Sequence, residues 1–156
     1  MKGTSQELYS LLIPLAEKRL LVPRACVAEV VGFSAPEGNG SDFAWYLGGM
    51  RWDGRLVPTV SFEGCCGDRI PETGRRSRVV IFHATGNALP ERFFGIVSQG
   101  FPQLVRVNPG VLRKEPDEKK NAHLPILCQL RMVNEYPLVP DLEKLEAMIL
   151  ARLIHE

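Results

Sequence analysis

The alternation of apolar and polar residues along the chain predicts many short β-strands separated by turns. Gly, Pro, Asn and Ser mark the turns, most clearly in residues 33–42 and 64–77. This spacing favours small barrels over a layered α/β fold. The predicted strands are residues 11–15, 19–22, 27–31, a hairpin within 45–63, 78–84, 92–98, 101–107, 125–133 and 136–139.

Residues 47–63, LGGMRWDGRLVPTVSFE, contain the clearest strand-turn-strand pattern. A two-residue Asp53-Gly54 turn is the commoner choice for this dipeptide, but it pairs Arg51 with Leu56 and places a charge on the apolar face. We therefore predict a bulged three-residue turn over residues 52–54, with Gly54 in the left-handed conformation. In that register one face holds the apolar residues Met50, Leu56, Pro58, Val60 and Phe62.

The opposite face of the predicted hairpin is a candidate protein-binding surface. Arg51, Arg55, Val57 and Thr59 point outward in this register, and Trp52 lies at the loop. Arg and Trp are enriched among residues that carry binding energy at interfaces. The alternative is an ordinary solvated face, since apolar residues are common on protein surfaces. The candidate residues are Arg51, Trp52, Asp53, Arg55 and Val57.

Residues 141–154 have the pattern of a C-terminal helix, and Asp141 after Pro140 is a suitable N-cap. One apolar stripe suits packing on the barrels, and consists of Leu142, Leu145, Ile149 and Leu153. A second stripe lies on nearly the opposite side, and consists of Ala147, Leu150, Ala151 and Ile154. The second stripe indicates a helix buried on two sides, a frayed end or a contact helix for a partner.

A faint internal repeat relates residues 52–63 to residues 132–143, a spacing of 80. The equivalent turn positions hold Gly54 and Asn134, and both residue types tolerate positive φ. Two related small barrels would explain the repeat. The polar residues 108–123 lie between the two copies of the repeat. They carry charges of both signs and predict a mobile surface loop.

The net charge of +1, from 19 basic and 18 acidic residues, gives no electrostatic footprint for nucleic acid or for an anionic membrane. No apolar run approaches the roughly 20 residues of a membrane span. The N-terminus has only a short apolar stretch, residues 11–16, before Glu17, Lys18 and Arg19. We therefore expect a cytoplasmic protein without membrane insertion, whose partners are proteins or small molecules.

No set of residues has the spacing of a catalytic, cofactor or metal site. The three histidines, His83, His123 and His155, are scattered. The four cysteines lack zinc spacing and are interpreted as reduced. Cys65 or Cys66 with a histidine would form a nucleophile-base pair only if the thiol pKa were depressed. We predict a protein that is not an enzyme and has no cofactor.

The central stretch resembles the core motif of the CheW-like family, the coupling proteins of bacterial chemosensory arrays. In that motif a small-residue turn precedes a Gly-x-x-x-Pro strand that ends in an acidic or polar doublet. The pattern is carried here by Gly48, Gly54, Pro58, Val60 and Phe62. Upstream, residues 20–31 resemble the family's strand, Pro, short helical turn and Glu-Val, with Pro23, Glu29 and Val30 in matching places. Residues 78–82, 94–101 and 138–145 follow in family order.

The resemblance implies a mainly β fold of two small five-stranded SH3-like barrels that share a hydrophobic seam, with a C-terminal helix over 141–154. Residues 1–156 would form one CheW-like domain, with subdomains at roughly 20–75 and 76–145, the latter completed by the N-terminal strand. It also implies a non-enzymatic adaptor between the cytoplasmic tip of a methyl-accepting chemoreceptor and the regulatory domain of a CheA-type histidine kinase. A second binding surface is expected in the apolar groove between the barrels, with Val27 and Val30 as candidates.

One departure concerns the turn, where the family motif commonly reads Asn-Leu-Arg-Gly. Here Asp53 occupies the place of the arginine, so the charge is inverted. A Trp before this position resembles the type IV pilus (twitching motility) branch, the PilI- and ChpC-like coupling proteins. The alternative function is a small barrel that binds a small ligand or single-stranded nucleic acid on a stacking platform of Trp45, Trp52 and nearby arginines.

Overall fold

The computed structural model describes residues 8–38, 43–108, 113–114, 123–132 and 134–154. Most of the predicted loop at 108–123 lies outside these residues. The described elements, in chain order, are β1 (Leu8–Pro14), β2 (Arg19–Pro23), a 3-10 turn (Arg24–Cys26), β3 (Val27–Gly32), β4 (Tyr46–Trp52), β5 (Arg55–Val60), α1 (Phe62–Cys65), β6 (Arg78–His83), β7 (Phe93–Ser98), β8 (Gln103–Val107), β9 (Arg113–Lys114), β10 (Ile126–Arg131), β11 (Leu138–Pro140) and α2 (Leu142–Ile154).

The strands form two sheets. The first has the order β8-β1-β2-β11-β10-β9, and the second has the order β3-β6-β7-β5-β4. The predicted mainly β fold with a C-terminal helix is confirmed, with the two-residue β9 as a sixth strand of the first sheet. The predicted subdomain boundary near residue 75 does not coincide with the sheets, because β6 and β7 pair with each other and with β3 and β5. The N-terminal hairpin β1–β2 belongs wholly to the first sheet.

The two sheets share one strand order, which gives the sequence repeat a structural meaning. The hairpin β10–β11 takes the place of β4–β5, and β1–β2 takes the place of β6–β7. Trp52 pairs with Arg55 across the first turn, and Met132 pairs with Glu135 across the second, 80 residues later. Gly54 and Asn134 both have positive φ, 72° and 63°. The two sheets are therefore related units, and the first sheet is completed by the N-terminal hairpin β1–β2.

The turn of the β4–β5 hairpin differs from the predicted bulge. Asp53 and Gly54 form a two-residue turn with φ of 51° and 72°, and Arg51 pairs with Leu56. The combination of two positive φ values is that of a type I′ turn, whose twist matches the flanking strands. The prediction was wrong because it assumed that only one face of β5 is buried. A bulge occurs instead between Tyr46 and Gly48, at the other end of β4.

Both faces of β5 are buried along most of its length. Val57 is 0% exposed and packs with Met50 in a cluster formed by the second sheet alone. Val60 packs instead in the seam between the two sheets. The predicted outward orientation of Val57 and Thr59 is therefore wrong. Arg51 and Leu56 lie at the exposed end of the hairpin, where a charge beside an apolar residue costs little.

In the described part of the chain, buried apolar residues form three clusters, and the largest lies in the seam between the sheets. The seam cluster joins the first sheet, through Ile13 and Leu20, to the second, through Phe82 and Phe94. The Phe82 and Phe94 rings stack with centroids 5.2 Å apart. Each sheet also has its own smaller interior cluster, centred on Leu12 and Leu21 in the first sheet and on Met50 and Val57 in the second. The predicted shared apolar seam is present.

Helix α2 covers the seam with one of its two apolar stripes. The Asp141 Oδ1 atom accepts a hydrogen bond from the Lys144 backbone N–H at 3.1 Å, so the predicted N-cap is confirmed. Leu145 and Ile149 are fully buried in the seam cluster. Most of the second stripe is exposed, since Ala147 and Ala151 are exposed and Ile154 is 69% exposed, but Leu150 is half-buried and packs against the seam cluster. Within the described residues, no helix has the length and apolar character needed to cross a membrane.

Gly48 is predicted to be essential for closing the second sheet. Its φ is 116°, and a Cβ atom placed on it would lie 2.5 Å from the backbone oxygen of Glu37, which pairs with Gly49. Gly48→Ala should therefore lower the free energy of unfolding by about 2 kcal/mol or more, measured by urea denaturation. Gly32→Ala is the control, because a Cβ atom there meets nothing within 4 Å. Equal stability of the two variants would contradict this account of the closure.

Candidate protein-binding surfaces

The tip of the β4–β5 hairpin carries most of the predicted binding residues. Arg51 is exposed and its Nε atom lies 3.2 Å from Glu37 Oε2. Asp53 is exposed at the turn, and among the described residues no ion pair to it is formed. Arg55 is exposed and its Nη1 atom lies 3.8 Å from Glu91 Oε1. The ion pairs of Arg51 with Glu37 and of Arg55 with Glu91 are exposed to solvent and contribute little to stability. Both arginines therefore remain accessible to a partner.

Trp52 has a structural role beside its place at the tip. Its indole Nε1 donates a hydrogen bond to Glu29 Oε1 at 2.9 Å, and its ring meets Phe93 edge-on at 4.9 Å. Glu29 lies in β3 and Trp52 in β4, which are the outermost strands of the second sheet. The hydrogen bond therefore joins the two edges of that sheet. Trp52 is half-buried and presents only part of its ring to a partner.

Val57 is not part of this surface, because its side chain is buried in the interior cluster of the second sheet. Its place at the surface is taken by Leu56, which is 37% exposed beside Arg51. The sequence prediction missed Leu56 because the wrong turn assigned it to the core. We call Arg51, Trp52, Asp53, Arg55 and Leu56 the hairpin surface. Arg55 stacks over the Phe93 ring at 5.1 Å, which fixes the guanidinium against the sheet.

Val27 and Val30, the two candidates for a second surface, are half-buried and pack against the seam cluster. They line neither of the two cavities that flank Glu63. The structure thus brings them to the edge of the seam but leaves them only partly accessible. Leu11 of β1 packs against the same cluster and is also half-buried.

A patch of exposed apolar side chains lies on β1 and the edge strand β8, which the sequence prediction did not single out. Leu11 pairs with Leu104, and Tyr9 pairs with Arg106. Directly paired residues of antiparallel strands point to the same face, so the seam row of Leu11 continues outward to Leu104. Tyr9 is 51% exposed, Leu104 53% and Phe101, two residues before β8, 68%. We call Tyr9, Leu11, Phe101 and Leu104 the β1–β8 patch.

A cavity opens at the seam, away from Val27 and Val30. A cavity of about 510 Å³ lies between the β1–β2 loop, α1 and the start of β10, and is lined by Leu15, Lys18, Phe62, Cys66 and Ile126 among others. A second cavity of about 500 Å³ adjoins it and shares Glu63 and Pro71. Charged residues at the rim of the first cavity, Glu17, Lys18, Asp68 and Arg69, are of both signs.

The two tryptophans do not form one stacking platform. Trp45 precedes β4 and Trp52 ends it, so they are separated by roughly 20 Å of extended strand. Trp45 packs against Phe43 and Tyr46, with ring centroids at 5.6 Å and 6.3 Å. The arrangement therefore does not support the alternative of a continuous surface for single-stranded nucleic acid.

The cysteines do not have the environment of a catalytic nucleophile. Burial raises the pKa of Cys65 far above its ordinary value, and raises the pKa of Cys66 to about 11, with Asp68 adding to the effect. A nucleophilic cysteine needs the opposite shift. Within the described residues no group of three or more His, Cys, Asp or Glu side chains could hold a metal ion.

The raised thiol pKa values predict slow alkylation of the native protein. At pH 8 the thiolate fraction of Cys66 should be about 100-fold below that of an unperturbed thiol, because its pKa is higher by about two units. Iodoacetamide labelling followed by mass spectrometry measures this, with urea-unfolded protein as the control. The unfolded chain loses these protons near pH 9 and the folded chain retains them, so the free energy of unfolding should fall above about pH 9. Rapid labelling of native Cys66 would contradict the assignment.

Comparison with known proteins adds the family. A search among curated proteins finds no match. Among solved structures, the scaffolding protein TtCheW from Thermoanaerobacter tengcongensis is similar, with a TM-score of 0.76 and 13% sequence identity over 93% of this chain and 91% of that one. This likeness concerns the fold. The family model of the CheW-like domain matches residues 10–146, which include most of β1, the other described strands and the first five residues of α2. The chain belongs to the CheW-like domain family.

Proposed function

We propose that this protein is a non-enzymatic adaptor that couples the cytoplasmic tip of a methyl-accepting chemoreceptor to the regulatory domain of a CheA-type histidine kinase. The observation that carries the proposal is the presence of two chemically unlike exposed surfaces on the two sheets of a CheW-like fold. The hairpin surface, on the second sheet, is charged. The β1–β8 patch, on the first sheet, is apolar and continues to the seam.

The proposed mechanism is scaffolding. The two sheets that carry the surfaces are joined by one seam cluster, so two partners bound to them would be held on a single body. A change in receptor state would then bias the kinase through differential contacts, with no covalent step on the adaptor. The proposal places the protein in the cytoplasm, with proteins as its only partners and without membrane insertion.

The surfaces differ in the type of partner they suit. Exposed Tyr, Phe and Leu side chains around a half-buried row are typical of an interface centre that excludes water. The hairpin surface combines two arginines with an aspartate, and such charged surfaces contribute to specificity and association rate. Each partner is therefore expected to use one surface, and the two complexes should be compatible.

This division predicts a reciprocal binding pattern, measured by isothermal titration calorimetry with a receptor cytoplasmic fragment and a kinase regulatory domain from the same genome. Leu104→Asp should weaken the affinity for one partner at least tenfold, about 1.4 kcal/mol, and leave the other unchanged. Arg51→Glu combined with Leu56→Asp should have the opposite selectivity. Leu127→Asp is the matched control, since Leu127 is 56% exposed on the first sheet outside both surfaces. Failure of the wild-type protein to bind either partner would refute the adaptor function.

We further propose that the chain serves a type IV pilus chemosensory system. The support comes from the hairpin tip, where Trp52 and Asp53 replace the residues common in the family motif and Asp53 is exposed. An acidic tip would select a partner with a basic contact and reject the partner of an arginine-bearing adaptor, because like charges repel across an interface.

A gene deletion tests the pilus assignment. Loss of the gene should abolish twitching and leave swimming unaffected, and re-expression of the wild-type protein should restore twitching. Re-expression of Asp53→Arg should restore it poorly, since the charge at the tip is reversed. Loss of directed swimming with normal twitching would show that the protein serves flagellar motility instead.

A further inference from the structure

The helices α1 and α2 occupy equivalent places in the two related sheets. Helix α1 follows β5 and is capped by Ser61, whose Oγ accepts from the Gly64 N–H at 3.1 Å. Helix α2 follows β11 and is capped by Asp141, 80 residues later, which accepts from the Lys144 N–H at the same distance. Each helix therefore begins where the second strand of an equivalent hairpin ends.

Glu63 of α1 reaches from the second sheet to the first. Its side chain is buried, with 7% exposure. The Oε2 atom accepts a hydrogen bond from the Ala16 backbone N–H at 2.8 Å, and Oε1 accepts from the Ser61 hydroxyl at 3.3 Å. Ala16 lies in the loop between β1 and β2. The carboxylate thus joins the helix of one sheet to a hairpin loop of the other.

Glu146 of α2 makes the reverse connection, from the first sheet to the second. It is 8% exposed, and its Oε2 atom accepts from the Thr85 backbone N–H at 2.7 Å and from the Thr85 hydroxyl at 2.9 Å. Thr85 lies in the loop between β6 and β7, the hairpin that corresponds to β1–β2. The two contacts are equivalent in the fold, although Glu63 and Glu146 stand at different distances from their helix caps.

The chemistry of these contacts differs from that of the seam around them. The seam cluster is apolar, and apolar contacts have no preferred direction. A buried carboxylate is costly unless it is hydrogen-bonded, and its bonds are directional. Charge-assisted bonds to backbone N–H groups are stronger than neutral ones. One such bond from each helix to a loop of the other sheet restricts the sliding and rotation that the seam alone would permit.

We infer that Glu63 and Glu146 are positioning residues that together fix the orientation of the two sheets. The orientation sets the relative placement of the hairpin surface and the β1–β8 patch, and in this last step the inference rests on the proposed adaptor function. Loss of either carboxylate leaves both sheets folded and both surfaces intact, but allows the sheets to reorient about the seam.

Residual dipolar couplings of backbone amides in the two sheets test the inference on the full chain, without any partner. In the wild-type protein one alignment tensor should fit the couplings of both sheets. In Glu146→Leu, separate fits should give tensors that differ in magnitude or orientation, while the couplings within each sheet still agree with the structure. Glu146→Gln retains a carbonyl oxygen for Thr85 and should lie between Glu146→Leu and the wild type. Glu63→Gln provides the same test from the other helix.

Glu143→Leu is the matched control, because Glu143 is exposed on the same helix and should leave a single tensor. A single tensor for Glu146→Leu, in a protein that remains folded by its amide spectrum, would overturn the inference. If Glu146→Leu does not fold, the intermediate variant Glu146→Gln decides in the same way. The couplings are independent of receptor and kinase, so this outcome is separate from success or failure of the proposed function.

Discussion

The apolar seam between the two sheets is the interaction on which the rest of the structure depends. Among the residues that the structure describes, the interior cluster has three buried residues in the first sheet and five in the second. Neither cluster would bury enough apolar area to stabilise a sheet alone. The seam supplies the missing burial, with residues from both sheets and from α2 in one cluster. The two units therefore depend on each other, and the surfaces they carry belong to one body.

The repeat explains how this seam is built. Two units with one strand order place equivalent hairpins and equivalent helices on the two sides, so the same kinds of elements face each other. The unit with β8 to β11 lacks the strands that correspond to β6 and β7, and β1 and β2 supply them. Strands β1 and β2 thus lie in the same sheet as β11, and Leu20 pairs with Leu138 next to the seam and α2.

Much of this was predictable from local patterns, and the failures share a physical cause. The strands, the Asp141 cap and the buried stripe of α2 follow from side-chain periodicity and capping chemistry, which are local. The turn at Asp53-Gly54 and the burial of Val57 were mispredicted because β5 is buried on both faces, a consequence of the tertiary arrangement. Leu104 and Phe101 were missed for the opposite reason. Alternation alone assigns apolar residues to a core, but apolar residues at an edge strand can remain exposed. The carboxylates Glu63 and Glu146 carry no local signal, since their partners are 47 and 61 residues away.

The proposed adaptor function requires that two partners bind at once to surfaces on two sheets that one seam joins. Sedimentation velocity of the protein mixed with a receptor cytoplasmic fragment and a kinase regulatory domain tests this claim most directly. An adaptor with two compatible surfaces should form a ternary complex that sediments faster than either binary complex, with one adaptor bridging both partners. Displacement of one partner by the other, without a ternary species at saturating concentrations, would contradict it.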